Sequence, residues 1–265
     1  MTTPAGLLDA MRKSIVHLVK DNAVAVAYSG GLDSSIIACL AKESFAVRCY
    51  TCAVAGSYDA THAAAFATED GVELDMIALE RESLGGLVSR TGSALNSDDP
   101  VRIAYSIPVV CVLERCKEST VLVGSGADEI FGGYAKYSTV ADPSEAMTTD
   151  LRKALSEDCT LQVVAQAFDK KLVSPFLSEF ALRFSDSTPL SLKVSGNDRK
   201  ILLRDAAKSL GLHSYDRPKK AAQYSSGIMK EMKVQARRSH ATLSDWVRQQ
   251  IWEYGQTRDE HGQSH

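Results

Sequence analysis

Two stretches of the chain carry residue types suited to holding a phosphate chain and a divalent cation. The first is Ser29-Gly-Gly-Leu-Asp-Ser-Ser35, directly after the apolar run Ala23–Tyr28. Gly30 and Gly31 let backbone N–H groups approach an anion with no Cβ in the way. Ser29, Ser34 and Ser35 add hydroxyl donors. A helix is predicted over Ser34–Glu43, and its N-terminus would aim partial positive charge at the same anion. Asp33 would repel phosphate unless a cation lay between them, which implies Mg²⁺, an ion that takes carboxylate and phosphate oxygens together. The plain alternative is a glycine turn capped by Asp33 or Ser34. The position after a buried strand and before a helix favours the phosphate reading. No lysine stands where a Walker A loop, G-x-x-x-x-G-K-S/T, would need one.

The second stretch is Gly124-Ser-Gly-Ala-Asp-Glu-Ile-Phe-Gly-Gly-Tyr134. Glycines again permit close backbone approach to a ligand, and Gly124, Ser125 and Gly126 are candidate ATP-binding positions. Asp128 and Glu129 bring carboxylates to the end of a strand. If Asp33 and Asp128 face each other across a crevice, they can share one or two Mg²⁺ ions on a triphosphate. The alternative here is a glycine-rich turn with a solvated acidic pair.

The elements that would position these loops alternate in the first half of the chain. Strands are predicted at Val24–Tyr28, Ala46–Val54, Glu73–Leu79 and Thr120–Gly124. Helices are predicted at Leu7–Lys20, Ser34–Glu43, Tyr58–Glu69, Arg81–Thr91 and Val101–Lys117. This alternation implies βαβ units and an α/β fold with a doubly wound parallel sheet. Ligands bind beyond the carboxyl ends of strands in such sheets, where both motifs fall. The second half is helical in period, with segments at Glu145–Glu157, Leu161–Phe168, Leu177–Phe184, Asn197–Leu210, Ser226–Arg238 and Leu243–Tyr254. It reads as a C-terminal helical layer on the same domain. The expectation is one domain over 1–254, with an α/β core to about 140, a helical part over about 141–254, and a disordered tail over 255–265.

Bulk properties narrow the classes. The 265 residues suffice for one large α/β domain, and 45% hydrophobic with 24% charged residues is ordinary for a globular protein. A net charge of −3 gives no global basic field for nucleic acid. No apolar run approaches the ~18 residues of a membrane span, and the amphipathic N-terminus does not read as a signal peptide. A cytoplasmic location is expected, with no membrane or nucleic-acid partner. Six cysteines do not make a disulfide scaffold in a chain this long. Cys49 and Cys52 form a C-x-x-C, but on a predicted buried strand with no second pair, which reads as core thiols.

Ser29–Ser35 resembles the PP-loop of the ATP pyrophosphatases. Together with Gly124–Tyr134 it resembles the synthetase domain of the asparagine synthetase family, over roughly Ala23–Ile228. The likeness continues through Ala53–Asp59, similar to the segment whose backbone receives adenine, with Ala53 the candidate contact. It continues in Val173-Ser-Pro-Phe-Leu177, similar to V-P-F-L-D, and in Lys200-Ile-Leu-Leu-Arg204, similar to K-x-x-L-R. Arg217-Pro-Lys-Lys-Ala-Ala-Gln223 is similar to the family's late R-x-K segment.

The resemblance implies a PP-loop fold and a ligation in two steps. A carboxylate, aspartate's in the family, attacks the α-phosphorus of ATP; ammonia then displaces AMP. It implies ATP as substrate, Mg²⁺ on Asp33 and Asp128, and Lys200 and Lys219 as catalytic cations, with Lys220 a rival to Lys219. Arg217–Gln223 is expected to be mobile without ligand and to close over ATP. Two departures stand out. The glutaminase domain of full-length members has no counterpart here, so ammonia is expected from solution or from a separate glutaminase subunit. Ser125 replaces an acidic residue of better-known members, which bears on the transfer step. Self-association into a homo-oligomer is left open. The alternatives are a PP-loop tRNA-modifying enzyme of thiolase or lysidine synthetase type, and a catalytically silent nucleotide-binding subunit.

Overall fold

Thr3 opens the first helix. Its hydroxyl accepts the Gly6 N–H at 3.1 Å, and Pro4 takes the first turn, where a missing N–H costs nothing. This helix, α1 (Pro4–Leu18), buries Leu7, Leu8, Met11 and Ile15, a stripe at helical spacing. The computed structural model describes the backbone of residues 2–217 and 222–261, and the side chains of 2–217 and 224–253.

Strands and helices then alternate: β1 (Ala23–Ala27), α2 (Leu32–Ala41), β2 (Ala46–Val54), α3 (Tyr58–Glu69), β3 (Leu74–Leu79), α4 (Leu84–Leu95), α5 (Pro100–Arg115) and β4 (Thr120–Leu122). The second half holds α6 (Ala127–Phe131), α7 (Pro143–Gln166), β5 (Lys171–Val173), α8 (Glu179–Asp186), the hairpin β6 (Val194–Ser195) and β7 (Asp198–Arg199), α9 (Ile201–Ser209), α10 (Ala222–Ser225), α11 (Ile228–Arg238) and α12 (Leu243–His261).

The main sheet has the order β3-β2-β1-β4-β5. β1 runs parallel to β2, with Val24 opposite Val47, and parallel to β4, with Val24 opposite Thr120. β4 runs parallel to β5. The chain winds outward from β1 to β3 on one side and through β4 to β5 on the other. The order therefore reverses between β1 and β4, the topological switch point of a doubly wound sheet. The loops leaving β1 and β4 are the two glycine-rich motifs, and strand pairing makes them neighbours.

The chain folds as two units, neither continuous in sequence. The first comprises Met1–Tyr50, Ala64–Asp75 and Cys116–Lys219; the second comprises Thr51–Ala63, Met76–Arg115 and Lys220–His265. Leu7, Met11, Ile15, Ile36, Ile37, Leu122, Phe131, Phe176 and Leu203 form the core of the first. Leu84, Val88, Ile103, Ile107, Met232, Trp246 and Val247 form the core of the second. The helical half of the sequence is thus shared out, 141–219 to the first unit and 220–261 to the second.

Several elements differ from the sequence expectation for physical reasons. The two helices expected at Glu145–Glu157 and Leu161–Phe168 are one, α7, because no Gly or Pro separates them. Asp158, between them, is held by Ser174 and Gln162. β5 and the β6–β7 hairpin are strands of two or three residues, too short to show a period. α12 continues through His261 into the segment expected as a disordered tail, since extending a helix costs less than nucleating one. Residues 262–265 lie outside the described set. Cys49 is buried in the first core, where burial pushes its thiol up to about 12, and Cys52 is buried in the second. No described helix is long and apolar enough to cross a membrane.

Met11 is fully buried, whereas Val163 is 65% exposed. Met11→Ala is expected to cost about 2–5 kcal/mol in urea unfolding, and Val163→Ala less than about 0.5 kcal/mol. Equal effects would refute this assignment of the α1 face to the core.

Candidate active site

The loop after β1 is wound tightly on itself. The Tyr28 N–H continues the β ladder by donating to the Tyr50 carbonyl at 2.8 Å. The Ser29 N–H then donates to Ser34 Oγ at 3.3 Å, and the Ser34 hydroxyl donates to the Gly31 carbonyl at 3.1 Å. α2 starts at Leu32 with Gly31 as its N-cap, and no side chain caps that end. Asp33 lies in its first turn, because the helix begins two residues before the Ser34 that the sequence suggested. Ser29 is exposed, Gly31 and Asp33 are half-buried, and Gly30, Ser34 and Ser35 are buried.

Gly30 adopts φ +69° directly over the Phe66 ring, and a Cβ there would enter the ring. The Arg217 guanidinium lies on Phe66 as well, 4.0 Å from the ring centroid. Arg217 donates to the Gly30 carbonyl at 2.7 Å, to Glu69 at 2.7 Å and to Asp70 at 3.1 Å. The Tyr28 hydroxyl donates to the other Asp70 oxygen at 2.6 Å. Burial, and then the Asp70 hydrogen bond, raise the Tyr28 pKa well above its ordinary value. One buried carboxylate thus joins the end of β1 to Arg217, which holds the first glycine loop. The late segment expected to be mobile begins at a pinned residue. Lys219 and Lys220, the rival catalytic lysines within it, lie outside the described residues.

The loop after β4 meets the first loop through a lysine. Lys200 Nζ donates to both oxygens of Asp33 at 2.7 Å and lies 2.6 Å from Asp128 Oδ1. Lys200 is 4% exposed, although lysines are mostly solvated. Burial opposes its charge, but the fields of Asp128 and Asp33 and their hydrogen bonds outweigh it, so its pKa is raised. The carboxylates are a quarter open, at 25% and 22% side-chain exposure.

The local fold delivers Lys200 to this point. It follows the β6–β7 hairpin and takes a left-handed conformation, φ +55°, before α9 begins. Arg199 donates to the Gly133 carbonyl at 3.1 Å, which ties the hairpin to the second motif. Lys193 donates to Ser185, whose hydroxyl donates to the Ile130 carbonyl, both at 2.8 Å. Gly133 packs against the ion pair itself: a Cβ there would overlap the Asp128 carboxylate and crowd the Lys200 stem. Tyr134 donates to Glu129 at 2.6 Å.

The first unit therefore holds Ser29, Gly30, Gly31, Asp33, Ser34, Ser35, Gly124, Ser125, Gly126, Asp128 and Lys200. Gly124 and Ser125 are half-buried, and Gly124 packs against the Asp33 side chain. Ala53, the expected adenine contact, is buried near the end of β2 and belongs to the second unit. The expected meeting of Asp33 and Asp128 is observed, with an ammonium between them. Mg²⁺ takes one or two carboxylates and fills its shell with phosphate oxygens and water. Two converging, partly open carboxylates fit that demand. Among the described residues, no three or more His, Cys, Asp or Glu side chains form a cage that could hold a metal. Phe66, Asp70 and the hydrogen bond between Glu129 and Tyr134 were not part of the sequence reading, which took Glu129 only as a carboxylate at the strand end. Glu129 and Tyr134 lie inside the second motif, whereas Phe66 and Asp70 stand at the end of α3 with no motif to mark them.

The chain is similar to several known proteins. A Methanocaldococcus jannaschii protein named "Putative asparagine synthetase 1 (glutamine-hydrolyzing)" is 28% identical over 269 residues, 82% of this chain and 48% of that protein. The glutamine-hydrolyzing asparagine synthetase 1 of Bacillus subtilis is 32% identical over 160 residues, 56% of this chain and 24% of that protein. The chain spans about half the length of the first relative, and its match covers about a quarter of the second. Among solved structures, the U34-tRNA thiolase NcsA of Methanococcus maripaludis aligns with TM-score 0.45 and 15% identity, over 96% of this chain and 80% of that one. The NMN synthetase of Francisella tularensis aligns with TM-score 0.44 and 11% identity, over 96% and 92%. The asparagine synthase family model matches residues 6–172, well over half of the chain and both glycine-rich motifs, and the chain belongs to that family.

Proposed function

We propose that the chain is an ATP-dependent, AMP- and pyrophosphate-forming amide ligase. It would adenylate a carboxylate, aspartate in the first instance, and pass the acyl group to ammonia. The supporting observation is the convergence of three separate motif segments on one point. Asp33 comes from the first glycine loop, Asp128 from the second, and Lys200 from Lys200–Arg204.

In the first step a carboxylate oxygen bonds to the α-phosphorus as the bond to pyrophosphate breaks. In the second, the ammonia nitrogen bonds to the acyl carbon, the bond to AMP breaks, and the nitrogen loses a proton. The work of such a site is to orient the groups and to meet the charge of the departing pyrophosphate. Ser29, Gly30, Gly31, Ser34 and Ser35 would cradle the phosphates, with the open N-terminus of α2 facing them. Ala53 would receive the adenine through its backbone, and Gly124–Gly126 would line the α-phosphate side. Mg²⁺, when bound by Asp33 and Asp128, supplies charge neutralisation on the polyphosphate. Lys200 would keep the two carboxylates converged, and Lys219 would bring a further positive charge to the phosphates.

Pyrophosphate release is the deciding measurement. Release should depend on ATP, Mg²⁺ and aspartate, and Asp33→Asn should lower its rate about a thousandfold or more. Release stimulated by bulk tRNA instead of aspartate would overturn the amide-ligase reading, and no release with any acceptor would favour a silent nucleotide-binding subunit. Near-normal release by Asp33→Asn would overturn the metal assignment.

For the lysine segment, Lys219→Met should reduce kcat far more than it raises KM for ATP, because its contact is strongest in the transition state. A kcat loss confined to Lys220→Met would move the role to Lys220. Full activity in both variants would remove it from this segment.

The nitrogen source gives a separate test. Assayed as the 265-residue chain, ammonium should support amide formation and glutamine should not. Delivery from glutamine would then require a glutaminase outside these 265 residues, such as a separate subunit. Efficient glutamine use by the pure chain would refute this.

A further inference from the structure

We propose that Lys200 is a resident cation that occupies the metal carboxylates until nucleotide arrives, so that a divalent ion binds only together with the polyphosphate. The inference rests on the reading of Asp33 and Asp128 as the carboxylates of an ATP site. It adds an order of binding and gives Lys200 a positioning role.

The geometry carries it. Both oxygens of Asp33 and one of Asp128 lie 2.6–2.7 Å from a single ammonium. Two carboxylates so close repel one another strongly unless a cation sits between them. Here that cation is covalently part of the chain, and its stem is buried. The ammonium is not a loose side chain that happened to fold inward. It stands on a left-handed residue, between a hairpin tied to the Gly133 carbonyl and the first turn of α9. Gly133 has no Cβ, and one would fill the space that the pair occupies.

The three groups carry a net charge of −1. A free divalent ion would have to displace or crowd the ammonium, and it would gain too few ligands in return. Mg²⁺ needs six oxygens, and no described cage of three or more such side chains exists. A polyphosphate changes that balance. It brings several oxygens for the metal and fresh anionic partners for the displaced ammonium. The exposed quarter of each carboxylate is the side from which a metal already on phosphate could approach.

Mn²⁺ serves as the probe, with bound and free ion distinguished by electron paramagnetic resonance on the full chain. Wild-type protein alone should show no tight site, and adding a non-hydrolysable ATP analogue should create one. Wild-type protein that takes up one Mn²⁺ equally well without nucleotide overturns the proposal, and this arm needs no variant. Lys200→Met, or Lys200→Gln where the first does not fold, should bind one Mn²⁺ without nucleotide. Its affinity should exceed wild type by on the order of a hundredfold or more, since a unit charge at contact distance has been removed. Adding Asp33→Asn to that variant should abolish the gain. A folded Lys200 variant with no gain overturns the proposal, because a merely structural lysine would not control metal uptake. Calorimetric titration of wild type with the ATP analogue tests the underlying reading separately. Absence of nucleotide binding would sink the ATP site, while a metal gain in the Lys200 variant would still identify Lys200 as the occupant of the carboxylates.

Discussion

The pairing of one buried ammonium with two carboxylates is the interaction on which the site depends. Burying a lone charge is costly, and breaking a buried pair by removing one partner typically costs about 3–5 kcal/mol. That is larger than the roughly 1–2 kcal/mol of strain in a left-handed non-glycine residue. The balance explains why Lys200 can hold φ +55° at the start of α9. It also explains the demand for glycine at position 133, where any side chain would push Asp128 away from its partner. The pair links three segments far apart in sequence, so it fixes the two glycine loops relative to each other within the first unit.

A second anchor acts on the first glycine loop alone. Arg217 covers Phe66, and Phe66 in turn underlies Gly30, so the loop is packed from beneath and held at its carbonyl by the same guanidinium. Asp70 has no exposed side-chain surface and balances Arg217 while accepting from Tyr28. A loop with two glycines would otherwise be free to sample many conformations. Here its shape is set by an aromatic ring and a buried ion pair.

Much of this was legible in the sequence. The alternation of apolar runs and helical periods gave the parallel sheet, and the two glycine motifs fell at strand ends, where they are found. β2 and α3 match their predicted bounds to the residue. What escaped has a common cause. β5, which extends the sheet beyond β4, has three residues and no period to detect. The burial of Lys200 could not be read from a lysine at the start of a helix, because it follows from a two-residue hairpin and a backbone angle. Phe66, Asp70 and Arg217 are brought together by pairing and packing across more than 140 residues of chain. Sequence patterns report local period and motif; charges that meet through the fold leave no local mark.

The acidic pair in the second motif shows how environment separates two adjacent carboxylates. Asp128 faces Lys200, with Oδ1 2.6 Å from its ammonium, and it is a quarter open to solvent. Glu129 points elsewhere, with 9% of its surface exposed. Burial raises its pKa against the opposing effect of the Tyr134 hydrogen bond. One residue is therefore a charged partner for cations, and its neighbour is held within the packing by a tyrosine. The Lys200 ammonium therefore takes one carboxylate from this motif, that of Asp128. The second comes from Asp33 on the other loop, so the ion pair depends on the adjacency of β1 and β4 at the switch point.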